Sequence, residues 1–185
     1  MSTVEASMVK PTNKIVQAGV PPFVDIMKVE VAATMYPGRL VKKGTHDDDI
    51  VVVAAATDKM LGWLGYEQCT KKFRPATVDT IYVIAHQAPV LSGGGFRIVA
   101  SMLNGTAAQV KGTTLIGAAG GEVTVAAAIT ASWGTSGGTS VLNSTSTPAI
   151  TMAGSIPPGG RLVAVLMEYC DASGGAADCI VTSLI

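Results

Sequence analysis

The side chains able to do chemistry in this chain are few and can be weighed one by one. His46 is followed directly by Asp47, Asp48 and Asp49. Carboxylates bunched on a loop can offer several oxygens to a hard cation. Calcium loops alternate ligands with spacers and place a glycine at the bend, which this run does not, so it reads as a solvated acidic loop and no metal is assigned to it. Cys69 lies close to Lys71 and Lys72, whose ammonium groups could lower a thiol pKa; with no histidine partner in sight, a structural thiol is the better reading. Cys170 and Cys179 flank the turn-like stretch 171–178, which leaves a bridge sterically open. Buried thiols fit better, because cysteine is among the most buried residue types.

Gly93-Gly94-Gly95 and Gly120-Gly121 could be offered as phosphate cradles, but a cradle needs a helix N-terminus or a Lys-Ser/Thr pair behind it. Both read as hairpin turns. The chain contains no nucleophile elbow, no HExxH, no P-loop and no dinucleotide fingerprint. Trp63, Tyr66, Tyr82, Phe96 and Trp133 are spaced as core or rim aromatics rather than as a base-stacking platform. No catalytic residue, cofactor or metal site emerges, and the chain is expected not to be an enzyme.

The chain has 185 residues, with 13 basic and 13 acidic side chains and no formal net charge. Only 14% of residues are charged, against about a quarter in typical domains. Gripping a phosphate backbone or an anionic lipid surface needs clustered Lys and Arg, so neither nucleic acid nor membrane is an expected partner. A hydrophobic content of 48% and a mean hydropathy of +0.42 exclude wholesale disorder. Near-zero net charge promotes association, which makes association the first functional inference. Glu5, Lys10 and Lys14 interrupt the N-terminal stretch, which lacks the apolar run of a signal peptide; synthesis in the cytoplasm is expected. Residues 123–160 carry no charge, but Gly134, Gly137, Gly138 and Pro148 break them up, short of the roughly 20 apolar residues that a spanning helix requires.

The elements that must position these side chains read as strands. Residues 1–22, with Pro11, Gly19, Pro21 and Pro22, lack periodicity and read as an extended arm. Its candidate contact residues are Met8, Val9, Ile15, Val16, Pro21 and Pro22. From Phe23 the period becomes two, with Met27, Val29 and Val31 on one side and Lys28 and Glu30 on the other. Strands are expected at Ile50–Ala56, Met60–Glu67, Thr80–Ala85, Phe96–Ala100, Val110–Ile116, Glu122–Val125, Arg161–Tyr169 and Cys179–Ile185, with Gly62 and Gly65 marking bulges or close backbone approach. Turn signals recur about every 8–12 residues, as in all-β barrels and sandwiches. The reading is one β domain over 23–185, with the Gly/Ser/Thr-rich stretch 132–148 as a surface excursion.

Phe96–Ala100, Asn104-Gly105 and Gln109–Ile116 echo the hammerhead of biotinyl and lipoyl domains, but no lysine stands between Thr114 and Arg161 to carry a cofactor. What survives is a small barrel whose hairpins are set by V-K-x-G-like units, V-K-K-G at Val41–Gly44 and the shorter V-K-G at Val110–Gly112. Pro37–Val41 with the acidic loop and Ile50–Ala56, Leu61–Tyr66, Ala88–Leu91, Ala107–Gly112 and Gly160–Val163 together resemble the small β-rich head decoration, or cement, proteins of tailed bacteriophages and related viruses, over about residues 36–169. The resemblance implies a tulip-like β-barrel or sandwich and a non-enzymatic virion protein. It would bind the major capsid protein on the outer surface of an icosahedral shell, as homotrimers, with the arm engaging capsid subunits. Met8, Val9, Ile15 and Val16 would then order on binding, their entropic cost offset by the surface they cover. The alternative is another virion or surface β module, such as a tail-tube, fibre or adhesin subunit.

Overall fold

Adjacent apolar pairs recur in this chain: Leu40-Val41, Trp63-Leu64 and Val90-Leu91. Neighbours in a strand point to opposite faces, so such pairs mark strands covered on both sides. A computed structural model describes residues 19–104, 107–126 and 161–185, together with the backbone of the short strands at 130–132 and 151–153. In it each pair is split between two cores. Val41, Leu64 and Val90 pack with Val29, Ile50 and Tyr82 in one; Leu40, Trp63 and Leu91 pack with Phe96, Leu115 and Leu166 in the other.

The strands in chain order are β1 (Phe23–Val29), β2 (Leu40–Lys43), β3 (Asp49–Val52), β4 (Met60–Leu64), β5 (Gln87–Ser92), β6 (Arg97–Leu103), β7 (Ala108–Gln109), β8 (Thr114–Gly117), β9 (Val123–Val125), β10 (Thr130–Ser132), β11 (Thr151–Ala153), β12 (Leu162–Leu166), β13 (Cys170–Asp171) and β14 (Ala177–Ser183). They form two closed barrels, β1-β3-β2-β4-β5 and β12-β14-β6-β9-β8, beside the small pairs β10-β11 and β7-β13. The fold is all-β and barrel-based, as the turn spacing predicts.

The two barrels have one topology. With each barrel's five strands counted in chain order, the first pairs in parallel with the third and antiparallel with the fifth. The second pairs with the third and fourth, and the fourth with the fifth, all antiparallel. The body read from the sequence as a single β domain is therefore built of two barrels of one topology; the V-K units do not mark the repeat, since Val41–Lys43 lie within the second strand of the first barrel and Val110–Gly112 ahead of the second strand of the second.

The repeats share a core and a polar seam. Leu40, Val53, Met60, Trp63 and Leu91 of the first barrel lie in the same buried cluster as the interior of the second. Arg39, 4% exposed, reaches across to the Gly120 carbonyl and to Glu122 Oε1, both at 2.8 Å. The Gly121 amide donates to the Val53 carbonyl and the Ser101 amide to that of Gly38.

Four segments depart from the expectation. The strand expected at Val110–Ile116 starts only at Thr114, with residues 111–112 in a turn. Thr80–Ala85 is an irregular loop rather than a strand; its anchor is Tyr82, fully buried, with its hydroxyl donating to the Gly65 carbonyl at 2.8 Å. Gly93–Gly95 is no hairpin turn but the link between the barrels, all three residues at positive φ. Val31 lies beyond the end of β1 and is exposed. Of the arm residues, Met8, Val9, Ile15 and Val16 lie outside the described residues, as does 133–148 of the excursion.

Candidate functional site

The acidic run does not converge. Lys43 Nζ bonds the Asp47 carboxylate, holding its pKa below the usual aspartate range, while Asp49 is buried and pairs with Lys28 at 3.4 Å. Among the described residues no three metal-ligating side chains are grouped for a cation. Cys69 is buried, with its thiol directed at the Gln87 carbonyl at 3.4 Å. Burial pushes that thiol up, against the direction in which lysines would move it; Lys72 sits over the Phe73 ring instead. Cys170 and Cys179 are buried thiols. The Gly120-Gly121 pair falls in the short 3-10 turn of the β8–β9 hairpin, beneath the Arg39 side chain.

Surface features cluster just ahead of β1. Gly19 bridges to Phe96, and a Cβ there would lie 2.2 Å from the Gly95 carbonyl oxygen, so only glycine fits this approach. Pro21 is exposed and Pro22 half-buried. The inter-barrel glycines are flanked by apolar residues. A Cβ on Gly93 would meet the Phe23 ring at 2.8 Å, one on Gly94 the Leu184 carbonyl carbon at 3.4 Å, and one on Gly95 the Val20 side chain at 3.6 Å. Phe23 is 74% and Val20 63% exposed, and Val24, Ile26 and Leu184 are exposed as well. Single exposed apolar residues are ordinary, whereas a contiguous group marks a contact surface. Glycines here let the backbone of a flat linker run beneath those side chains.

Beside this patch, β1 lacks a neighbour. On one side it pairs with β5 from Phe23 to Lys28, and on the other with β3 only at Lys28 and Val29. The loop ahead of β3 meets β1 at the Asp48 carbonyl, which accepts from the Lys28 amide at 2.8 Å, and no described strand continues the ladder along Phe23–Met27. The gap is a cleft of about 360 Å³ lined by Asp25, Ile26, Met27, Lys43, Asp47, Asp48, Leu61 and Val90. Three carboxylates and one ammonium line it. The expectation from the sequence covers Pro21 and Pro22 of this region but misses Phe23, Val24 and Ile26; the signal for them was apolar residues on both faces of one strand. The chain matches no protein-family model and no curated protein.

Proposed function

We propose that this chain is a structural assembly protein, a decoration (cement) protein that lies on the outer surface of an icosahedral viral shell and stabilises it by bridging neighbouring major capsid subunits, as a homotrimer and without catalysis. One observation carries the reading: the exposed apolar side chains of Val20, Phe23 and Leu184, gathered along the Gly93–Gly95 link at the root of the N-terminal arm. Contacts to a protein surface draw on buried apolar area with a depleted charge at their centre, and a chain with only 14% charged residues suits many such contacts. The two-barrel body supports it further, because strands held on both faces give a rigid platform whose binding cost is confined to the arm and the patch.

The test is co-sedimentation of the purified protein with empty heads assembled from a tailed-phage major capsid protein. Saturable binding that raises the melting temperature of the heads is expected, and it weakens by about tenfold or more in the double variant Val20→Ser/Phe23→Ser, which truncates the patch centre. Absence of binding to the heads, or tube-like self-assembly by the protein alone, overturns the reading in favour of a tail or fibre subunit.

A further inference from the structure

We infer that the open edge of β1 and its acidic cleft receive residues 8–16 of a second copy of this chain, which adds as an extra strand beside Phe23–Met27. This needs no shell; of the function proposed above it rests only on the contact between copies, and binding to heads is read separately. The composition of β1 motivates it. Val24 and Ile26 are apolar and exposed on the face opposite Met27 and Val29, the pattern of a strand covered on both faces. Its unpaired edge is the kind of template that β-augmentation uses, main-chain bonds supplying affinity and pockets for alternate side chains supplying specificity.

Charge selects the occupant. The cleft wall holds Asp25, Asp47 and Asp48 against Lys43 alone, and Lys43 is engaged by Asp47. The stretch 7–18 holds Lys10 and Lys14 with no acidic residue, and Met8, Val9, Ile15 and Val16 beside them match the apolar part of the wall, Ile26, Met27, Leu61 and Val90. Eighteen residues precede Gly19; at about 3.3 Å per extended residue they reach well beyond one barrel.

Exchange between copies follows from how the arm leaves the body. Ahead of Phe23 the chain runs alongside the Gly93–Gly95 link, Gly19 bridging Phe96, and so heads towards the second barrel on the β5 side of β1. Reaching its own β1 edge would demand a full reversal, and Pro21-Pro22 hold the connection extended. A neighbour's edge can be entered without that reversal.

Sedimentation velocity on the full chain over a concentration series tests this. Reversible association is expected. The variant Lys10→Glu/Lys14→Glu weakens it by about tenfold, the worth of two lost rim pairs, and adding Asp25→Lys/Asp48→Lys to the same chain restores it. A protein monomeric at all concentrations, association indifferent to the lysine reversals, or failure of the compensating reversals overturns the inference. A mixture of Ile15→Cys chains with Ile26→Cys chains should form an inter-chain disulfide under mild oxidation. If the Ile15→Cys/Ile26→Cys double variant closes within one chain instead, the arm serves its own barrel and exchange is wrong.

Discussion

Trp63 is fully buried, and its indole N–H donates to Ser183 Oγ at 3.0 Å, while that hydroxyl donates to the Ile185 carbonyl at 2.7 Å. The first barrel thus holds the C-terminal residues of the second. Trp63→Phe removes the donor and, phenyl being three heavy atoms smaller than indole, leaves a cavity at a fully buried site; the expected loss is about 2–3 kcal/mol in chemical denaturation. Arg39→Ala is a harsher change, since it strips the partner from Glu122 and from the Gly120 carbonyl in a nearly buried seam; about 3–5 kcal/mol is expected by the same measurement. Asp58 supplies the pH dependence. Burial would raise its pKa, but Lys42 at 2.9 Å and the Ala54 and Ala55 amides at 2.7 and 2.9 Å outweigh that and hold it below the ordinary value. A depressed folded pKa contributes stability that is present above the unfolded value, about 3.9, and lost as pH falls through the folded one. The melting-temperature gap between wild type and Asp58→Asn should therefore be full near pH 6 and narrow as pH falls below the unfolded value of about 3.9. At this scale the sequence was legible for residue types: Cys69 as a structural thiol and Trp63, Tyr82 and Phe96 as core are where their chemistry puts them. The pairing of Arg39 with Glu122, 83 positions apart, was not, because no local pattern encodes a contact made only when two barrels close on each other.

Glycine separates two kinds of constraint within the elements. A Cβ on Gly62 would lie 2.3 Å from the Leu91 carbonyl oxygen across the β4–β5 ladder, with backbone as the obstacle. Gly112, at φ +92°, has nothing within 4 Å of its Cβ position. Gly62→Ala should thus cost about 1–3 kcal/mol as overpacking, while Gly112→Ala should cost about 1 kcal/mol from its backbone conformation alone; thermal melts of the two variants decide it, and equal losses would mean that β4 yields more easily than its pairing suggests. Strands were legible wherever period two or apolar pairs ran for four residues or more, as in β1, β4, β12 and β14. Thr80–Ala85 has the composition of a strand and is none. Tyr82 fills the end of the first core with its amide and hydroxyl both bonded, to Met35 and Gly65, and tertiary packing of one side chain overrides β propensity.

The two barrels share one buried cluster, in which Leu40 packs with residues of the second. Folding either alone would expose that surface. A single cooperative transition is expected by calorimetry, and Leu40→Ala, at about 2–5 kcal/mol, should lower it without splitting it; two resolved transitions would mean that the seam is weaker than its packing indicates. The sequence by itself determined the all-β class, most of the strand-forming segments, the neutrality that points to association and the lysines of the stretch 7–18, because each is written in composition, period or local turn chemistry. Only the tertiary structure decided that the body is one topology used twice, that Gly93–Gly95 links barrels instead of closing a hairpin, and that β1 keeps an uncovered edge beside Asp25 and Asp48. These are properties of strand order and of contacts between distant residues, and a strand's sequence carries the same period whether or not a neighbour comes to lie beside it.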